Sequence, residues 1–162
     1  MHKRFAAIFL AVAATLVATT TTVAQSSDPW VGTWKVNLAK STYSPGPRPT
    51  APTTVKLESS PGGGLKTTVD GVDPKGQPTH TETVGMLDGK DNPVKGSPVP
   101  NATTALKRID GRTLEAVNKV DGKVVTTTRV VVSADGKTLT ATQTGKSPQG
   151  DNINNVIVAD RQ

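Results

Sequence analysis

The amino-acid sequence predicts an all-β fold, an antiparallel up-and-down meander of about 8 to 10 short strands. Two observations carry this prediction. Asp-Gly pairs recur at Asp70-Gly71, Asp88-Gly89, Asp110-Gly111, Asp121-Gly122 and Asp135-Gly136, each near a Thr- and Val-rich run. Glycine takes the positive φ of a tight hairpin turn and Asp tolerates it, while β-branched side chains pack well on a pleated surface. In addition, no window sustains a helical period, and Pro, Gly and β-branched residues are dense throughout.

The amino terminus stands apart from this pattern. His2, Lys3 and Arg4 precede an apolar run, Phe5 to Val17, and then small and Thr-rich residues. This is the order of a secretory signal peptide, and the run ends too early for a membrane span of roughly 20 residues. Thr22-Val23-Ala24 sets small residues where a signal peptidase reads, so residues 1–24 are expected to be cleaved before Gln25. Residues 25–162 then form a single domain, secreted or periplasmic. Loss of Lys3 and Arg4 lowers the formal charge from +6 to +4. The remaining basic residues are dispersed and lack interleaved aromatics, which argues against nucleic acid as a partner. With no cysteine in the chain, the exported domain must rely on its core and its ladders.

The strands follow in order. Trp30 to Asn37 is the first, aromatic and strand-like. Ser44 to Pro52 holds four prolines, cannot donate a regular ladder and is expected to run extended on the surface. Period-two runs then cover 54–59, 65–69, 79–87, 102–109, 113–120, 123–132, 138–144 and 153–159. Leu87 to Asn92 is expected as a β-turn, and Pro93 to Pro100 as the long loop of the meander.

Turn parity predicts which side chains share a face, because residues opposite each other across a hairpin point to the same side. An odd, Gly-bulge loop at Asp121-Gly122 sets Leu114, Ala116, Asn118 and Val120 beside Val130, Thr128, Thr126 and Val124. The same test joins Leu106 to Leu114 across Asp110-Gly111. An even loop at Asp135-Gly136 joins Val132 to Leu139 and Val130 to Ala141. One continuous face results. It carries Leu106, Leu114, Val120, Val124, Val130, Val132 and Leu139 together with Arg108, Asn118, Thr126, Thr128 and Gln143. Polar groups in a packed core would need partners, whereas a hydrated cavity would accept them. The alternative is an apolar core whose polar strand ends reach a solvent-exposed rim.

Chemistry is sparsely represented. The mature chain has one histidine, His80, and no cysteine. His80 and Glu82 lie two apart on a strand and share a face, but no nucleophile accompanies them, so no catalytic residue is assigned. One imidazole does not make a zinc site, and Leu87 to Asn92 lacks the alternating acids and closing Glu of a calcium loop, so neither metal nor cofactor is expected. Asn101-Ala102-Thr103 matches a glycosylation acceptor, a tripeptide common by chance.

The segment Trp30-Val31-Gly32-Thr33-Trp34-Lys35 is more specific. It resembles the opening strand of the lipocalin and fatty-acid-binding protein group, the calycins, in which Gly-x-Trp begins a barrel. Length, strand number and meander order are also similar to that group. The resemblance implies a lipocalin-like barrel in which Gly32 permits close approach and Trp34 plugs one end, with Trp30 more exposed. It departs from the intracellular fatty-acid binders in two ways. The Pro45–Pro52 segment forbids their helical lid, and the last strand reads Val156 to Asp160 in place of their carboxylate-holding Arg-x-Tyr.

Two functional readings follow. The first is an exported, noncatalytic bacterial barrel binding a small amphipathic ligand, with Arg108, Asn118, Thr126, Thr128 and Gln143 as its contacts. The second is a secreted protein-binding or inhibitor module, in which the barrel is packed solid and the Asn92–Asn101 loop or the Pro-rich connector meets a protein partner. An enzyme acting on extracellular material is a third class.

Overall fold

A computed structural model describes residues 28–73, 75–147 and 150–162. The expected leader, 1–24, lies outside the described residues. Ten antiparallel strands form one sheet. They are β1 (Gly32–Val36), β2 (Thr54–Ser60), β3 (Gly64–Val72), β4 (Pro78–Gly85), β5 (Asp88–Pro93), β6 (Ala102–Arg108), β7 (Thr113–Val120), β8 (Lys123–Val132), β9 (Thr138–Lys146) and β10 (Asn152–Arg161).

The sheet runs β4-β3-β2-β1-β10-β9-β8-β7-β6-β5, so the first strand pairs with the last and the meander wraps into a nearly closed barrel. Its edges are β4 and β5, consecutive in the chain. The seam between them is stitched by one backbone bridge, in which Glu82 N donates to Lys95 O at 2.9 Å and Lys95 N donates to Glu82 O at 2.8 Å. Closure of this kind removes most of the exposed edge that an open sheet would carry.

The extra strand is β5. Asp88-Gly89 does not turn the chain: Gly89 has φ +80° inside β5, where the ladder to β6 shifts register between Asp88 and Asp91. The pair makes a bulge, a second conformation that the same positive φ permits. Asp70-Gly71 likewise lies within β3, and the turn that follows is made by Asp73, whose Oδ1 accepts from Lys75 N and Gln77 N, both at 2.8 Å.

The remaining Asp-Gly pairs do turn the chain. At Asp121-Gly122 both residues have positive φ, +49° and +74°, and Val120 pairs directly with Lys123. This is a two-residue hairpin and not the expected Gly-bulge loop. The extra residue sits further up the strand, where Asn118 pairs with Thr126 but Lys119 pairs with Val124, leaving Val125 as the bulge. Beyond it the pairs are those that parity predicts: Asn118 with Thr126, Ala116 with Thr128 and Leu114 with Val130. Below it the parity reverses, so Val124 is 59% exposed and does not join the inner face.

Across Asp110-Gly111 the direct partner of Leu114 is Arg108, with Leu106 opposite Ala116 on the same face. Val132 faces Leu139 and Val130 faces Ala141, as the even loop requires.

Candidate functional site

Matching residues across successive ladders form inward rows stacked along the barrel axis. The row nearest the chain termini is Val132, Leu139, Ala159 and Val36. Next comes Leu114, Val130, Ala141 and Ile157. The third is Leu106, Ala116, Thr128, Gln143 and Asn155, and the fourth is Thr104, Asn118, Thr126, Gly145 and Ile153. The interior therefore passes from aliphatic to amide- and hydroxyl-bearing along its length.

The apolar end is closed by a plug. Trp30 and Trp34 are both fully buried, and Trp34 Nε1 donates to Trp30 O at 2.8 Å. The Arg161 guanidinium lies over the Trp34 ring and donates to Pro29 O, Val31 O and Gly136 O. Gly32, with φ +145°, leaves the space this guanidinium occupies, since a Cβ there would collide with Arg161 Nη1. Gly32 and Trp34 thus share one partner, Arg161, the last residue of β10.

Trp30 is not the exposed residue expected of it, because Arg108 covers it. The guanidinium sits 4.5 Å from the Trp30 ring centroid and donates twice to Asp28, at 2.8 Å to each carboxylate oxygen. That double hydrogen bond holds the Asp28 carboxyl below the usual carboxylate range. Arg108 is consequently separated from the other polar residues named with it: it belongs to the plug and lines neither cavity described below.

Two compartments fill the interior. The deeper one, about 420 Å³, is lined by the aliphatic rows, by Trp34 and by Gln143, with Tyr43 and Pro49 from the connector between β1 and β2. The second, about 370 Å³, is lined by Asn118, Thr126, Thr104, Thr81 and Thr83, and by Val94, Ser97 and Val99 of the long loop. Both include Thr67, Val69, Leu106 and Ala116, so the two compartments adjoin across these residues.

Within the second compartment Thr104 Oγ1 donates to Asn118 Oδ1 at 2.8 Å, and Asn118 Nδ2 donates to Thr126 Oγ1 at 3.0 Å. Behind the wall of the deep compartment Asn155, which does not line it, donates from Nδ2 to Gln143 Oε1 at 2.9 Å. Asn118 and Thr126 are thereby brought together, with Gln143 one row away. Thr128 stands in the row of Gln143 but outside the lining of both compartments. No described residue lining the deep compartment is charged. The one charged residue lining the second is Lys119, whose Nζ lies 2.7 Å and 3.0 Å from the Asp91 carboxylate oxygens.

Thr104 and Asn155 were missed as site residues. Parity across Asp110-Gly111 puts Thr104 on the inner face, although its pairing with Asn118 lies two residues from the expected register. Asn155 depends on the pairing of β10 with β9, whose connection carries no Asp-Gly signal in the sequence.

His80 and Glu82 share the outer face and have separate partners. His80 Nδ1 is 2.7 Å from Asp70 Oδ1, and Glu82 Oε2 is 2.6 Å from Lys66 Nζ. Both are cross-strand ion-pair or hydrogen-bond contacts of the kind that lace an exposed sheet face.

No known family model and no curated protein matches the chain by sequence. Solved structures share its architecture. The wild-type fluorescent protein UnaG is 19% identical, with a TM-score of 0.57 over 82% of this chain and 97% of its own. An asparagine-to-alanine mutant of UnaG is 20% identical, with a TM-score of 0.58 over 83% and 96%. The likeness shows the fold, a meandering antiparallel β-barrel of the same architecture.

Proposed function

We propose that this protein is an exported, noncatalytic barrel that encloses a small, uncharged amphipathic molecule. The observation that carries the reading is the polarity gradient across two adjoining compartments, from the aliphatic rows above Trp34 to the Asn118 and Thr126 amide–hydroxyl pair. An apolar ligand body gains from burial in the first region, at roughly 25 cal/mol per Å². Its polar end meets hydrogen-bonding groups in the second. A charged end would find no counter-ion in the deep compartment, and in the second Lys119 is already paired with Asp91; burying an unpaired charge is far costlier than burying a dipole. Asn118, Thr126 and Gln143 are the proposed contacts; Thr128, opposite Gln143 in the ladder, lines neither compartment. The signal-peptide pattern of residues 1–24, with its basic start, apolar run and small-residue end, supports export to the periplasm or medium.

Ala116 borders both compartments, so Ala116→Phe should obstruct the space between them. The variant is expected to keep the wild-type circular dichroism spectrum while losing at least about fivefold in affinity for N-phenyl-1-naphthylamine. Native mass spectrometry of protein purified from its own host should show a co-purified small molecule. Unchanged fluorophore affinity in a folded Ala116→Phe variant would place binding outside the barrel and overturn the reading.

A further inference from the structure

The direction of one hydrogen-bond chain specifies what the ligand must offer. Ser44 N donates to Asn155 Oδ1 at 2.9 Å. A backbone N–H can only donate, so it fixes which end of the Asn155 amide faces the connector. The Asn155 Nδ2 group is therefore the end turned toward Gln143, and it donates to Gln143 Oε1 at 2.9 Å. Gln143 in turn has its oxygen engaged and its Nε2 left over. No described protein group accepts from that nitrogen, and the side chain lines the deep compartment. The connector thus sets the polarity of a group on the cavity wall through two intervening hydrogen bonds.

Resting on the reading of the barrel as an interior binder, we infer that Gln143 is a dedicated hydrogen-bond donor and that the ligand is an uncharged carbonyl compound. A hydroxyl ligand could accept from Gln143 Nε2, but its own proton would need a further acceptor. That acceptor would have to be the second lone pair of Gln143 Oε1 or the hydroxyl and amide groups one row away, since the row toward Trp34 is aliphatic. A ketone, ester or tertiary amide has only acceptors and leaves nothing unpaired. A carboxylate would also accept, but the deep-compartment lining provides no cation to compensate its charge. Chemistry and burial therefore select the same class.

The test uses two matched fluorophores, 6-propionyl-2-dimethylaminonaphthalene and its 6-propyl analogue, which lacks the carbonyl. Wild-type protein is expected to bind the propionyl compound more tightly. Gln143→Leu should weaken that binding about fivefold while leaving the propyl analogue within about twofold, the loss of one neutral hydrogen bond. Infrared spectroscopy of the wild-type complex should show the probe's carbonyl stretch lowered relative to the same probe in hexane, a readout that needs no variant. Equal loss for both probes, or an unshifted carbonyl band, overturns the donor assignment while the binding reading stands. Tighter competition by undecanoate than by 2-undecanone at neutral pH overturns the uncharged class. Binding of neither fluorophore overturns the interior-binding reading and this inference with it.

Discussion

The guanidinium of Arg161 lies 4.1 Å from the centroid of the Trp34 ring, joining the last residue of β10 to the centre of β1. The two strands are also paired by hydrogen bonds, with Trp34 opposite Arg161 in the ladder. A cation over an indole contributes about 0.5 to 2 kcal/mol, more where water is excluded. Here the same guanidinium also satisfies three backbone carbonyls, so ring closure and the end plug depend on one side chain.

Gly32→Ala is expected to destabilise the barrel by about 1 to 3 kcal/mol, because φ +145° is strained for any residue with a Cβ and that Cβ would displace Arg161. Urea denaturation followed by circular dichroism measures the loss. A midpoint equal to the wild type would show that Arg161 moves aside without cost.

Trp34→Ala and Trp30→Ala should each cost roughly 3 to 5 kcal/mol, since both rings are fully buried and each truncation leaves a cavity. The similarity of the two losses is the informative part. A Trp30→Ala variant with wild-type stability would mean that the Arg108–Asp28 cover does not seal the plug in solution.

The hydrogen bonds from Arg108 depress the Asp28 carboxyl, so their contribution has a definite pH dependence. An acid whose folded pKa is lowered stabilises the fold above its unfolded value, about 3.9, and loses that contribution as pH falls through the folded value. Side-chain exposures of 39% for Arg108 and 38% for Asp28 limit the effect to under about 1 kcal/mol. Between about pH 5 and about pH 2.5, wild-type stability should therefore fall more than that of Asp28→Asn, measured by urea midpoints on tryptophan fluorescence. Equal falls would show the pair to be energetically silent.

Gly145 faces the bulged strand, and a Cβ there would collide with Val125 O and Thr126 Cα. Gly145→Ala should cost about 1 to 3 kcal/mol by forcing the two strands apart beside the bulge. Amide hydrogen exchange should show the faster opening confined first to the Thr126–Gly145 region. Uniform protection equal to wild type would mean that the bulge relocates freely.

Amino-terminal sequencing of the protein recovered from its own host should begin at or near Gln25. Recovery of a membrane-embedded chain retaining Phe5 to Val17 would contradict the leader assignment.

Strand number and the inner face were largely legible in the sequence because a strand repeats every two residues and a hairpin preserves that parity across its turn. Val132 with Leu139 follows from local pattern alone, whereas Ala116 with Thr128 and Asn118 with Thr126 match because the Val125 bulge supplies the extra residue expected in the turn. Asp-Gly was less decisive, since positive φ serves a turn at Asp121-Gly122 and a bulge at Asp88-Gly89 with the same residues.

Only the tertiary structure decided which of the inward polar residues belong together. Arg108 and Asn118 share a face on neighbouring strands, yet they stand at opposite ends of the polarity gradient, and Arg108 is held at the plug by Asp28 and Trp30. Those partners come from far away in the chain, as does Ser44, whose backbone N–H orients the amides of Asn155 and Gln143. Side-chain alternation along a strand is a local property that the sequence expresses directly. Barrel closure and the direction of a hydrogen bond depend on groups that only folding brings within reach.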